Sequence, residues 1–332
     1  MIVQTKAFTR AGLAGNPSDG YFGKTLSVTF KDFYAEVTMY ETPDLEILPN
    51  QRDHSYFENL QHLVADVQRH GYYGGIRLIK AAAKKFSDYC QEKGIVLAEK
   101  NFTVRYNSNI PVQVGLAGSS AIVTATIRAL MTFYGVEIQK PLIPSLILSV
   151  ETDELGISAG LQDRVVQTYE GLVYMDFDKG LLDTQGYGYY EKLDPNLLPL
   201  IYIAFLQDLS EVSGIAHGNL RGRYMAGDPA VLDAMKYFAE RAELARDCLL
   251  AHQPEKLAAI MNDNFDKRRE IFPISRRNLE MVDLARSVGA SAKFSGSGGA
   301  IVGTYEDEKM FKKLKETLQS EIGAVVIKPE IC

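Results

Sequence analysis

The run Pro111-Val-Gln-Val-Gly-Leu-Ala-Gly-Ser-Ser-Ala121 has the residue types of a phosphate-binding loop. It joins a β-rich stretch, Asn101 to Tyr106, to a helix-forming one, Ala121 to Met131. Glycine lets the backbone approach a ligand closely and take positive φ without penalty. The loop empties onto a helix start, where unpaired N–H groups and the helix dipole favour an anion. Its contributors are Pro111, Gly115, Leu116, Ala117, Gly118, Ser119, Ser120 and Ala121, and the two serine hydroxyls can hold phosphate oxygens or Mg²⁺. No Gly-Lys-Ser/Thr closes the run, so it is not a Walker A loop. A serine-capped helix after a glycine turn fits the same residues equally well.

Other side chains suit a small polar substrate. Asn16, Ser18 and Asp19 sit together near the N-terminus, where convergent polar groups can hold sugar hydroxyls. Asn-Pro-Ser-Asp-Gly is also ordinary turn chemistry. Arg77 and Arg52 can grip a carboxylate bidentately, although a solvated arginine at a helix start is the commoner case. Arg164, beside Asp163, is a further anchor. His54, His62 and His70 recur every eight residues, a spacing that drifts around a helix, and they read as surface histidines. The run Lys293-Phe-Ser-Gly-Ser-Gly-Gly-Ala300 reads as strand, turn, strand; taken singly, its Gly296, Ser297 and Gly298 fit any tight hairpin. Asn264-Phe-Asp-Lys-Arg-Arg269 could lie on a helix face towards the active cleft, although a charged helix surface is the commoner case.

The elements that must position these residues alternate along the chain. Ile2 to Phe8 reads as a strand feeding a loop from Arg10 to Asp19. Thr25–Phe30 and Tyr34–Tyr40 alternate with a period of two, and Leu45–Leu48 extends the sheet. Gln51 to His70 and the stretch up to Lys93 are helical in pattern, on either side of Gly71-Tyr-Tyr-Gly-Gly75. An apolar helical run, Pro141 to Val150, ends in Glu151-Thr-Asp-Glu154. Asp163 falls at the start of a helix to Tyr169, and Leu172–Phe177 is a strand. The pattern breaks around Lys192 to Pro199, which divides the chain into 1–195 and 196–332. Helices Val231–His252, Pro254–Ile271, Asn278–Val288 and Asp307–Ser320 follow, with strands at Leu200–Leu206 and Ala324–Lys328.

The 332 residues are 46% hydrophobic, enough for a sizeable core, with a net charge of −6. Nothing in that balance points to nucleic acid or an anionic membrane. Neither a signal peptide nor a membrane span is expected. The three cysteines, Cys90, Cys248 and Cys332, are far apart and fit a reducing compartment such as the cytoplasm. The glycine-rich loops do not make a dinucleotide fold, because no acidic residue follows at the required distance.

Three motifs in order, Arg10–Asp19, Pro111–Ala121 and Lys293–Ala300, resemble those of the GHMP kinases, which include galactokinase, homoserine kinase and mevalonate kinase. The resemblance implies an α+β GHMP kinase fold, with an N-terminal ribosomal protein S5 domain 2-like part and a ferredoxin-like C-terminal part. It implies ATP as co-substrate and Mg²⁺ as cofactor, with Ser120 and Glu151 as metal ligands. Asp163 matches the proposed base, and Arg10 matches a cation beside the reacting groups. Gly296, Ser297 and Gly298 fall in the loop that closes over the nucleotide. Gly15-Asn-Pro-Ser-Asp19 with Tyr21-Phe-Gly23, Gly71–Gly75, Ala159–Arg164 and Asn264–Arg269 are most similar to the glucuronokinase branch. That likeness implies phosphorylation of the anomeric hydroxyl of D-glucuronate by a monomer or homodimer, with Tyr21 among the substrate contacts. A kinase for another sugar, sugar acid or heptose phosphate, or a ligand sensor on the same fold, stays open. Retention of Asp163 and Glu151 argues against the sensor.

Overall fold

A computed structural model describes residues 1–50, 53, 59–60, 74–206 and 220–332. The 51–70 helix pattern and Gly71–Tyr73, with Arg52, His54, His62 and His70, lie outside the described residues, apart from positions 53, 59 and 60.

The chain is α+β, as its pattern implies. Its first sheet is organised by one long strand. β1 (Ile2–Ala14) runs antiparallel to the 19-residue β2 (Lys24–Thr42) along nearly its whole length. The other edge of β2 is shared: residues 35–42 pair with β4 (Asn101–Ser108) and residues 24–28 with β5 (Leu172–Asp176). β3 (Glu46–Leu48) lies parallel to β4, and β6 (Tyr189–Leu193) closes the far side on β5. The two segments read separately as Thr25–Phe30 and Tyr34–Tyr40 are thus one strand. A register shift opposite Phe8 and Thr9 absorbs the intervening residues without breaking the ladder. The Asn109 side chain secures that shift, accepting from Tyr34 N at 2.7 Å and donating to Asp32 O at 3.2 Å.

α1 (Gly75–Glu92) and α2 (Gly118–Tyr134) layer over this sheet, with α2 directly on β1 and β2. Ile122, Val123, Ala125, Ile127, Ala129, Leu130 and Phe133 of α2 are all buried. Each large apolar side chain buried in this way contributes roughly 1.5–3 kcal/mol. α3 (Ile143–Ser149) runs into a π-helical turn, Val150–Glu154, a distortion that often marks functional sites. α4 (Gln162–Tyr169) and α5 (Lys179–Gln185) flank β5 in sequence.

The second sheet is antiparallel in the order β10 (Val325–Ile327), β7 (Ile201–Phe205), β9 (Ala300–Thr304), β8 (Lys293–Phe294). Successive side chains of β7 point to opposite faces. Ile201, Ile203 and Phe205 join the core of the first sheet, together with Ala242 and Ala245 of α6 (Pro229–Leu250). Tyr202 and Ala204 meet Phe265 of α7 (Leu257–Ile271), Met281 of α8 (Arg276–Ser287) and Leu314 of α9 (Glu308–Ile322). The first sheet ends at Leu193 and the second begins at Ile201. No helix among the described residues is long and apolar enough to cross a membrane.

Candidate active site

β1 carries further than its sequence suggests, through Ala14, because its apolar residues Ala7, Ala11, Leu13 and Ala14 are all fully buried against β2 and the helices. Arg10 therefore stands on a strand, not in a loop. The ladder holds its backbone opposite Thr29. One position earlier, Thr9 Oγ1 donates to Leu116 O at 2.6 Å, tying the strand to the phosphate loop.

The loop from Pro111 to Gly118, with Ser119, lines an 810 Å³ cleft. Gly115 takes φ +68°, and a Cβ there would meet Gly298 O at 2.7 Å, so only glycine lets the two glycine turns touch. Gly296 and Ser297 also line the cleft. Gly298 instead supports Gly115 from outside it. Ala121 faces the core, fully buried.

Ser119 and Ser120 part company at the α2 start. Adjacent helical residues point about 100° apart, and the two hydroxyls take different partners. Ser119 Oγ donates to Glu151 Oε1 at 2.9 Å. Ser120 is 1% exposed and its Oγ turns back to Ala117 O at 3.1 Å. The serine whose hydroxyl reaches Glu151 is therefore Ser119, whereas Ser120, expected with Glu151 as a metal ligand, turns to Ala117.

Arg10 and Asp163 form a bidentate pair, Nε to Oδ1 at 2.6 Å and Nη2 to Oδ2 at 2.9 Å. Arg10 Nη1 also donates to Gly115 O at 2.6 Å. The guanidinium thus bridges the α4 N-terminus and the phosphate loop. Burial by itself raises the Asp163 pKa. The charges of Arg10 and Arg164, with hydrogen bonds from Arg10 and Gln162, outweigh it and hold the carboxyl below its ordinary value. Asp19 behaves oppositely: burial and the Asp163 charge push it up to about 6. Neighbouring carboxylates with such divergent environments are the usual setting for acid–base roles.

Arg164 is not a free substrate anchor. It is buried, donates through Nε to Glu151 Oε2 at 2.9 Å, and through Nη1 to Gly160 O at 2.9 Å. Glu151, fully buried, divides its two oxygens between Ser119 and Arg164. Ser18 does not line the cleft: its Oγ donates to Lys24 O and accepts from Lys24 N, closing the turn. Asn16, Asp19, Tyr21 and Arg77 do line the cleft. Asn16 Oδ1 is already held by Lys293 Nζ at 2.6 Å, and Arg77 donates to Leu155 O at 3.1 Å.

Sequence reading left α7 open between a charged helix surface, which it favoured, and the face towards the cleft; the structure takes the second. Asn264 and Arg268 are buried, not on a charged surface. Asn264 accepts from Gly15 N at 2.7 Å and donates to Asn16 O at 3.1 Å. The signal was present, since Leu257, Ile260, Met261, Asn264, Phe265, Arg268 and Ile271 repeat at helical spacing on one stripe. Lys293 was also unassigned. Burial, with Arg268 and Arg10 nearby, lowers its pKa strongly, while Gly12 O, Asn16 Oδ1 and Phe294 O surround its Nζ. Gln162 lines the cleft with an Oε1 that has no hydrogen-bond partner among the described residues.

Comparison with known proteins matches the chain to the GHMP kinases N terminal domain over residues 77–171 and the GHMP kinases C terminal domain over residues 245–323. Glucuronokinase 1 of Arabidopsis thaliana is 44% identical over 306 residues, 90% of this chain and 84% of that protein. Probable glucuronokinase 2 of the same plant is 45% identical over 308 residues, 91% of this chain and 84% of that protein. Among solved structures, Methanococcus jannaschii mevalonate kinase superposes with a TM-score of 0.72 over 100% of this chain and 98% of that one, at 20% identity, a likeness of fold. Both domain matches and the extended identity to the plant enzymes make this chain a member of the GHMP kinases and an ATP-dependent small-molecule kinase.

Proposed function

We propose that the chain is a glucuronokinase, converting ATP and D-glucuronate to ADP and D-glucuronate 1-phosphate. The observation that carries this reading is identity of 44% and 45% to glucuronokinase relatives across 90% and 91% of the chain. The test is ADP release with Mg·ATP against a panel of free sugars, uronic acids and heptose phosphates. Turnover with glucuronate is the expected result. Turnover with a neutral sugar or heptose phosphate alone overturns the substrate but keeps the kinase. Nucleotide binding without any turnover favours the sensor.

In this reading residues 1–195 supply the phosphate loop, metal side and base, and 196–332 supply the third glycine motif. The ATP phosphates lie over the Gly115–Ser119 backbone at the α2 N-terminus, where the dipole favours them. Asp163, ionised at neutral pH, orients the C1 hydroxyl and takes its proton. A loose phosphoryl-transfer transition state asks more for positioning and charge than for a strong base, so a lowered pKa is no obstacle. Arg10 steadies Asp163 and lends positive charge beside the transferring phosphoryl group. Asn16, Asp19, Gln162 and Tyr21 frame the sugar, with Tyr21 braced on Tyr224 at a ring distance of 4.7 Å.

Ser119 Oγ and Glu151 Oε1, hard oxygens 2.9 Å apart on the cleft wall, suit Mg²⁺, which takes few protein ligands beside phosphates and water. When bound, Mg²⁺ neutralises charge on the phosphate oxygens. Ser119→Ala is expected to raise the Mg·ATP concentration needed for half-maximal rate by roughly tenfold, the scale of one hydrogen bond to a charged group. Ser120→Ala is expected to change it little, because Ala117 O keeps its bond from Gln167 Nε2 at 3.1 Å. The reverse ranking, measured by nucleotide titration, returns the metal role to Ser120. The cytoplasm suits such an enzyme, whose cysteines are all unpaired.

Asp19 adds a pH signature. With its pKa pushed up to about 6, it is protonated below that pH and an acceptor for sugar hydroxyls above it. The rate at low sugar concentration is therefore expected to rise with pH through about 6, one proton being released. Asp19→Asn is expected to abolish that limb in a pH profile of kcat/KM. A limb that survives the substitution belongs to another group.

A further inference from the structure

We propose that Arg268 is the subsite for the carboxylate of the sugar acid. This rests on the uronate reading above. Charge balance singles the residue out among the arginines lining the cleft. Arg10 is matched by Asp163 and Arg164 by Glu151. Arg77 and Arg221 are exposed. Arg268 is 5% exposed, yet no carboxylate among the described residues pairs with it. Its Nη1 donates to Gly296 O at 2.9 Å and its Nη2 to Ser297 O at 3.2 Å, while Nε has no acceptor among the described residues. The rings of Phe272 and Phe294 lie 4.9 and 5.1 Å from the guanidinium.

A guanidinium has five N–H donors, so two carbonyl contacts leave most of them unused. A cation kept in an apolar setting without a counter-charge weakens the fold unless something completes it. Burial here pushes the Arg268 pKa down to about 10, even though the Asp19 charge acts in the other direction. An anionic ligand in the cleft supplies the missing charge. The planar fork matches a carboxylate, a geometry that a lysine ammonium cannot reproduce.

The position is also rigid. One turn before Arg268, the Asn264 amide is fastened to Gly15 N and Asn16 O, and Asn16 itself lines the cleft. Arg268 therefore stands preset between the sugar-facing Asn16–Asp19 turn and the Gly296–Ser297 turn. A fixed cation of this kind binds an acid and rejects its neutral analogue, because the empty fork would otherwise be buried against an uncharged group.

The test compares kcat/KM for D-glucuronate and D-glucuronamide, in which a neutral amide replaces the C6 carboxylate, in the wild type, Arg268→Gln and Arg268→Lys. The wild type is expected to prefer the acid. Arg268→Gln is expected to cut the acid-to-amide ratio roughly 100-fold, mainly through the sugar KM, the scale of a lost charge-assisted contact. Arg268→Lys is expected to fall between, with roughly a tenfold cut, since charge without a fork recovers part of the binding. Arg268→Lys also decides the matter if Arg268→Gln fails to fold. A ratio left unchanged in the folded variants overturns the subsite. So does an equal loss for acid and amide with a raised KM for ATP, which assigns Arg268 to the phosphates. A wild type that turns over neither compound but does phosphorylate another sugar removes the uronate reading and the subsite with it. A wild type that prefers the acid, with variants that keep the preference, removes the subsite alone.

Discussion

Asp163→Asn is expected to bind ATP nearly as well as the wild type while turning over 10²–10⁴-fold more slowly, roughly the span of positioned proton acceptors. The size follows from the site. Asp163 stands at the start of α4, facing the cleft, with both oxygens aligned by Arg10. An amide keeps one acceptor and the shape of the side chain but loses the charge that takes the proton. It also weakens the match to Arg10, whose side chain is 6% exposed. Some loss of folding stability is therefore expected, below the roughly 3–5 kcal/mol of a buried cation left wholly unpaired. Thermal unfolding and nucleotide titration measured beside the turnover separate the two effects. A folded, ATP-binding variant with near-normal turnover removes Asp163 from the role.

Glu151 is expected to give the largest combined effect. Its carboxylate and the Arg164 guanidinium are 1% and 5% exposed, an ion pair enclosed by protein. Glu151→Leu leaves Arg164 buried with only Asp163, 3.6 Å from its Nη1, as counter-charge, for an expected loss of up to about 3–5 kcal/mol in unfolding free energy. It also removes the oxygen facing Ser119, and with it the metal-dependent rate. Replacing both partners, Glu151→Leu with Arg164→Leu, is expected to recover much of the stability, since apolar pairs of similar volume often equal buried ion pairs. Activity is not expected to return. Denaturant unfolding and turnover on the same three variants test this. Recovery of both together makes Glu151 a structural residue only.

Much of the fold was legible in local patterns. Period-two alternation in β2, the short apolar runs of β5 and β7 and the helical stripes of α6 and α8 are written in side-chain order, because burial selects them. The glycine-rich loop ahead of α2 was legible for a related reason: glycines and small residues ahead of a helix are a local requirement of backbone shape. Strand ends were less legible. Arg10 reads as loop after Phe8, yet β1 continues to Ala14 because β2 is there to pair with it. Pairing with a distant segment has no local signature.

The candidate site divides in the same way. The sequence by itself determined which residue types are available to it: the loop of Gly115 to Ser119, the carboxylates Asp19, Glu151 and Asp163, and the cations Arg10, Arg164, Arg268 and Lys293. Only the tertiary structure decided how they are matched. It joined Arg10 to Asp163 across 153 positions, gave Arg164 to Glu151, and aimed Ser119, not Ser120, at that glutamate. It also left Arg268 buried with no carboxylate paired to it among the described residues. Charge acts through distance and local dielectric, and neither exists until strands and helices far apart in the chain have packed together.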